Sequence, residues 1–270
     1  MAGPTETLVT HRQRLWLYVL GGLVLLFLII PVLIVIPMSF SDSRFLTFPP
    51  PKLSLRWYEA FLGSVEWLDA TRVSFTAAIL TMLLATPLGL AAAYGLHVAE
   101  ARLLRKVQII LLMPLMVPII IIAIGVFFVF AKVELVGTMA GLVLAHTLMA
   151  TPFVVVTTLS GLQGFDMNQE KVARSLGSHR LAAFVKVTLP QIKPSVISGA
   201  LFAFITSLDE VVIALFISGG ENSTLTKRMF NALRDEIDPT IAAISSLLIV
   251  TSLSVVLAAS LLSGRKARSS

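Results

Sequence analysis

The chain has 270 residues, 56% of them hydrophobic and only 13% charged, against about a quarter charged in an ordinary soluble domain. It contains no cysteine, which excludes disulfides, thiolate nucleophiles and cysteine-based metal sites, and its four histidines are scattered rather than clustered. The formal charge of +6 comes from basic residues crowded into particular connections, which is a pattern of membrane orientation and not of nucleic-acid binding.

A helix needs about 20 apolar residues to cross the hydrocarbon core, and six stretches reach that length. The first runs from about Leu15 to Met38, behind His11, Arg12 and Arg14. It is much longer than the ~7–15 residue core of a signal peptide and no small-x-small cleavage site follows, so it reads as a retained span. The next three run from about Ala70 to Leu96, Val107 to Ala131 and Val136 to Leu159. The last two run from about Val196 to Ile217 and Ile241 to Leu262. Pro31, Pro87, Pro114 and Pro118 lie inside spans, where neighbouring helices re-satisfy the carbonyls they free. The expected architecture is all-α and integral to the membrane, one transmembrane domain over 1–270 with six helices. Gly137 and Gly141, at the start of the fourth span, read as ordinary close packing.

The connections differ in charge. The second carries Arg102, Arg105 and Lys106, and the fourth carries Lys171, Arg174, Arg180, Lys186 and Lys193. The first, third and fifth are mixed or acidic, with Asp42, Glu59, Glu66, Asp69, Glu134, Glu221, Asp235, Glu236 and Asp238. The positive-inside rule puts the second and fourth in the cytoplasm with both termini, and the tail residues Arg265, Lys266 and Arg268 agree.

The fourth connection, 163–194, is unlike the others. Asp166 followed by Gln169 has the spacing of a capping box and predicts a helix start. Val172, Ala173 and Leu176 share one helical face. Gly177 can take a left-handed conformation that ends the helix, and Ser178 can cap a second one bearing Leu181, Phe184 and Val185. Pro190 and Pro194 are expected to stop that second helix and turn the chain into the bilayer. A free cytoplasmic loop has no reason to be so apolar, whereas a docking surface for a soluble partner does.

Residues in this loop resemble the signature of the binding-protein-dependent ABC importer permeases. That signature is Glu-Ala-Ala, three residues, glycine, nine residues, then Ile-x-Leu-Pro. Ala173, Gly177, Val187, Leu189 and Pro190 fall at matching positions, with Val187 in the isoleucine place. The departures are Lys171 at the glutamate position and Val172 at the first alanine. Glu170 stands one residue early, turned by about 100° on a helix. The resemblance implies a type I importer permease fold and a loop that docks a separate ABC ATPase, with Glu170, Lys171, Ala173, Gly177, Val187, Leu189 and Pro190 as its coupling residues. It also implies a second permease subunit, an ATPase dimer that holds the ATP and Mg, and a periplasmic solute-binding protein.

Four segments are similar to the spermidine/putrescine branch of that family: PPPKLSLRWYEAFL before the second span, AHTLMATPFVV in the fourth, AFITSLDEVVIALFISGG in the fifth, and TLTKRMFNALRDEIDPTIAAIS after it. The resemblance implies transport of polyamines or of a related small amine such as 4-aminobutyrate, across the bacterial inner membrane.

Asp209 and Glu210 lie in the fifth span. A charge at the bilayer centre costs at least ~2.5–3.5 kcal/mol and needs a partner, water or a proton. One reading lines a path for a cationic solute with these carboxylates; the other has one of them cap or pair with a helix. Adjacent residues diverge on a helix and are not expected to share a role. His146 in the fourth span reads as a helix-to-helix hydrogen bond. Lys227 and Arg228, with Arg234, Asp235 and Glu236, read as a solvated periplasmic face open to a solute-binding protein. No Gly-x4-Gly-Lys-Ser/Thr loop is present, so this chain cannot cradle ATP by that route, and no enzyme activity is expected of it. Two alternatives stand beside the permease: a proton-coupled secondary transporter using Asp209 and Glu210, for which inverted repeats would be the sign, and a non-transporting scaffold.

Overall fold

The computed structural model describes residues 15–99, 102–235 and 238–264, with side chains described outside 102–105 and 258–264. In chain order the helices begin with α1 (Leu15–Ser39), α2 (Arg56–Gly63), α3 (Val65–Val98), α4 (Arg102–Leu112) and α5 (Ile119–Lys132). They continue with α6 (Met139–Gln163), α7 (Asn168–Ser175), α8 (Arg180–Ala183) and α9 (Leu189–Asp209). Last come α10 (Val212–Ile217), α11 (Leu225–Asp235) and α12 (Thr240–Gly264). The only β pairing among the described residues is an isolated bridge between Ser41 and Leu53. The terminal basic residues Arg265, Lys266 and Arg268, together with Glu236, lie outside the described residues, as do the side chains of Arg102 and Arg105.

The chain forms two compact units, one of residues 1–61 with 237–248 and one of 62–236 with 249–270. In the first, α1 carries no charged residue and exposes its apolar side chains from Leu15 to Leu33. Apart from the carbonyls freed by Pro31 and Pro37, the interior backbone groups of this helix are satisfied within it, so a bilayer is its natural solvent. After α1 the chain is pinned by Ser39, whose hydroxyl lies 2.7 Å from that of Tyr58, and by Arg56, which reaches Asp42 at 3.5 Å.

The core of the second unit is α3, α6 and α9. Ala85, Ala150, Val154 and Ala203 meet there with no exposure to solvent. Small side chains let the backbones approach, as expected between membrane helices. Gly199 is one such close approach: a Cβ there would sit 2.6 Å from Thr157 Oγ1 and 3.1 Å from the Val154 Cα. Gly137 and Gly141 serve a turn instead. Gly137 has φ +77° and donates its N–H to the Ile217 carbonyl at 2.8 Å, while Gly141 lies against the Leu135 carbonyl.

Five described helical stretches are long and apolar enough to span a membrane, and a bent pair brings the number to six. That pair is the third expected span, broken into Lys106–Leu115 and Ile119–Lys132 at 101°. Pro114 and Pro118 flank the break. Neither has an N–H to donate, and each ring excludes the carbonyl one turn back, so the ladder cannot run through both.

The fifth span also differs from the expected Val196–Ile217. It starts earlier, as one continuous helical run over Arg180–Asp209, and Pro190 and Pro194 do not end it. A π-helical turn at Phe184–Thr188 precedes Pro190, and the Leu189 N–H reaches back five residues to the Phe184 carbonyl. The wider turn leaves room for the Pro190 ring where a normal turn would clash. The run then breaks at Glu210, which is extended (φ −73°, ψ 113°), before α10 begins.

Candidate functional site: the docking loop and the intramembrane carboxylates

Asp166 opens the fourth connection. Its Oδ1 accepts the Asn168 N–H at 3.0 Å and its carbonyl accepts the Gln169 N–H at 3.1 Å. Helix α7 follows and stops at Gly177, whose φ of +92° only glycine adopts without strain. Gly177 donates to the Arg174 carbonyl at 3.0 Å and Ser178 to the Ala173 carbonyl at 3.1 Å, the pair of bonds that defines a Schellman motif. The second helix is capped by His179 rather than Ser178: its Nδ1 accepts the Ala182 N–H at 3.2 Å. A histidine ring reaches the same orphan donor that a serine hydroxyl would.

The two short helices have distinct faces. Outward stand Lys171, Val172, Arg174, Leu176, Leu181, Val185 and Pro190, with Leu176 83% exposed. Ala173 and Leu189 are half-buried, and Val187 packs against the cluster of Ala93, Val155, Leu162, Phe165 and Ile192. Phe184 is turned inward, its ring centre 4.5 Å from that of Tyr94. Glu170 departs furthest from the outward face. It is 2% exposed, and its carboxylate accepts the Tyr94 hydroxyl at 2.5 Å and the Thr188 hydroxyl at 2.6 Å. Sequence spacing turned Glu170 away from the outward face but held no sign of Tyr94, which lies 76 residues earlier on α3.

Asp209 and Glu210, at the end of the fifth candidate span, take different positions. Glu210 is buried, and its Oε1 accepts the Ile213 N–H at 2.9 Å at the start of α10. Lys227 of α11 closes the other end of α10, donating to the Ser218 carbonyl at 2.5 Å and the Leu215 carbonyl at 3.3 Å. An acid at the N-terminus and a base at the C-terminus both complement the helix dipole. Burial pushes the Lys227 ammonium below its ordinary pKa, and its two carbonyl partners make it a built-in cap and not the freely solvated residue expected. Asp209 is exposed, at the last turn of α9.

Arg228 pairs with Glu66 and lies over the Trp67 ring at 5.0 Å. The pair borders a cavity of about 430 Å³ that Asp69, Arg72 and Glu221 also line. Arg234 and Asp235 form an exposed pair at 2.7 Å. His146 is buried, with Nδ1 2.7 Å from the Ser207 hydroxyl, which in turn lies 3.4 Å from that of Thr81. This polar chain joins α6, α9 and α3.

The profile of the binding-protein-dependent transport system inner membrane component family matches residues 85–268. The chain belongs to that family. The match covers the fourth connection, 163–194, together with Asp209 and Glu210. Among curated members, the spermidine/putrescine transport system permease protein PotC of Haemophilus influenzae is 31% identical over 236 residues, 87% of this chain and 91% of the relative. The putrescine transport system permease protein PotI of Escherichia coli K12 is 32% identical over 241 residues, 87% of this chain and 85% of the relative. The fold is that of a chain in the crystal structure of a bacterial ABC transporter that imports the acidic polysaccharide alginate. The TM-score is 0.74 at 15% identity, covering 94% of this chain and 96% of that one. A second structure of an alginate transporter, in complex with its alginate-bound periplasmic protein, gives a TM-score of 0.73 at 16% identity over 96% and 98% of the two chains.

Proposed function

We propose that this chain is one permease subunit of an ATP-driven importer for polyamines, putrescine or spermidine, or for a related small amine. The observation that carries the reading is the outward face of the docking loop. Leu176 and Leu181 are large, apolar and exposed on either side of the Gly177 turn, and basic residues frame them. An exposed apolar patch rimmed by polar residues is the mark of a surface that a partner covers. In this reading the partner is an ABC ATPase dimer that holds the ATP and Mg and performs the hydrolysis. A second permease completes the path and a periplasmic protein delivers the solute. The chain sits in the bacterial inner membrane with both termini in the cytoplasm.

The polyamine assignment draws on the printed activities of the PotC and PotI relatives and on the exposed Asp209, which can attract a cation near the path. Glu210 is less suited to that role, because its carboxylate is committed to α10. The same commitment weighs against a proton carrier built on both acids, which a secondary transporter would need. The test is ATP-dependent uptake of radiolabelled putrescine, spermidine and 4-aminobutyrate by inner-membrane vesicles in the presence of the cognate binding protein. Uptake of a polyamine that needs ATP supports the reading. Uptake that persists without ATP and collapses with the proton gradient overturns it.

A further inference from the structure

The Glu170 carboxylate is where three segments meet. It stands on α7, Tyr94 is near the C-terminal end of α3, and Thr188 closes the π-helical turn that leads into α9. A buried carboxylate must be hydrogen-bonded at both oxygens or pay a heavy desolvation cost. Here each oxygen accepts one hydroxyl, at 2.5 and 2.6 Å, in the short range of charge-assisted bonds. The second arm of the loop adds to the same point. Phe184 packs on the Tyr94 ring, and the Arg180 guanidinium lies 5.5 Å from its centre.

We propose that Glu170, Tyr94 and Thr188 are positioning residues that lock the docking loop to α3, so that a displacement of the loop is delivered to the membrane helix as a rigid-body movement. The proposal rests on the docking reading above. Neither hydroxyl bond is needed to form a helix, since the partners are 76 and 18 residues from Glu170 in sequence. What the bonds specify is a relative position. Sliding α7 past α3 would leave a buried charge without its donors, and that penalty makes the joint stiff. The exposed apolar face then receives the push, while the buried face passes it to α3 and α9 together.

Because the chain has no cysteine, paired spin labels can be placed by Ser175→Cys on α7 and Ala99→Cys at the end of α3. Their distance distribution is measured in the full complex with and without ATP. The lock predicts one narrow distribution that nucleotide does not shift. With Thr188→Val added, the distribution broadens and becomes nucleotide-dependent, and with Thr188→Ser it stays narrow. A distance that changes with ATP in the Thr188 chain overturns the lock, as does a Thr188→Val distribution as narrow as that of Thr188→Ser. The docking reading fails separately, if the labelled chain retains no ATPase when purified.

Discussion

Glu210 and Lys227 hold opposite ends of one six-residue helix: the glutamate accepts the Ile213 N–H at 2.9 Å and the lysine donates to the Ser218 carbonyl at 2.5 Å. A helix this short is not stable alone, so α10 depends on these caps and on the burial of Ile213, Ala214 and Ile217. Replacing a capping side chain by alanine costs about 0.5–2 kcal/mol. Glu210→Ala is expected to lower the thermal midpoint of the detergent-solubilised protein by a few degrees, and Glu210→Gln, which keeps an acceptor oxygen, by much less. Equal losses in the two variants, read by a fluorescence melt, would show that charge rather than capping matters.

Asp209 has no such duty among the described contacts. Asp209→Asn is expected to reduce amine uptake severalfold while the amount of assembled transporter stays the same. Vesicle uptake normalised to membrane-embedded protein checks this, and unchanged uptake would remove Asp209 from the path.

The core of α3, α6 and α9 is closed at Gly199, where any Cβ meets Thr157 and Val154. Overpacking a tight core costs about 1–3 kcal/mol. Gly199→Val is therefore expected to lower the yield of folded protein and its thermal midpoint, measured by size-exclusion chromatography and melting in detergent. Gly125, whose Cβ position is open, is the control: Gly125→Ala should leave both measures near their starting values.

Gly177 combines a positive φ with an N–H bonded to the Arg174 carbonyl. Proline fixes φ near −65° and has no N–H, so it can supply neither. Gly177→Pro is expected to leave the protein in the membrane and to uncouple ATP hydrolysis from uptake. Simultaneous assay of both in proteoliposomes checks it, and an unchanged ratio of solute moved to ATP hydrolysed would move the docking turn elsewhere.

Much of this architecture was legible from local signals. Apolar length located the spans, and the Gly177 turn followed from a glycine behind a short apolar-faced helix. Two errors share one cause. Pro190 and Pro194 were expected to stop a helix, and Pro114 and Pro118 to be absorbed by one. The reverse holds: a π-helical turn precedes Pro190 and the helix runs on through Pro194, whereas the chain bends by 101° where Pro114 and Pro118 stand. Proline says that the ladder is disturbed, and the surrounding turn decides whether the helix survives. The lock at Glu170 and the cap at Lys227 were hidden for a different reason. Their partners are brought together only by packing, and no spacing within a segment encodes Tyr94 against Glu170.

The central claim is that the outward face of 163–194 docks a separate ATPase. Purification of the tagged chain from mild detergent, with mass spectrometry of what accompanies it, tests this most directly when the unaltered chain is run beside Leu176→Asp. The account predicts a P-loop ATPase and a second permease with the unaltered chain, and loss of the ATPase alone with the variant. Recovery of the unaltered chain by itself, or an ATPase retained equally by both, would contradict it.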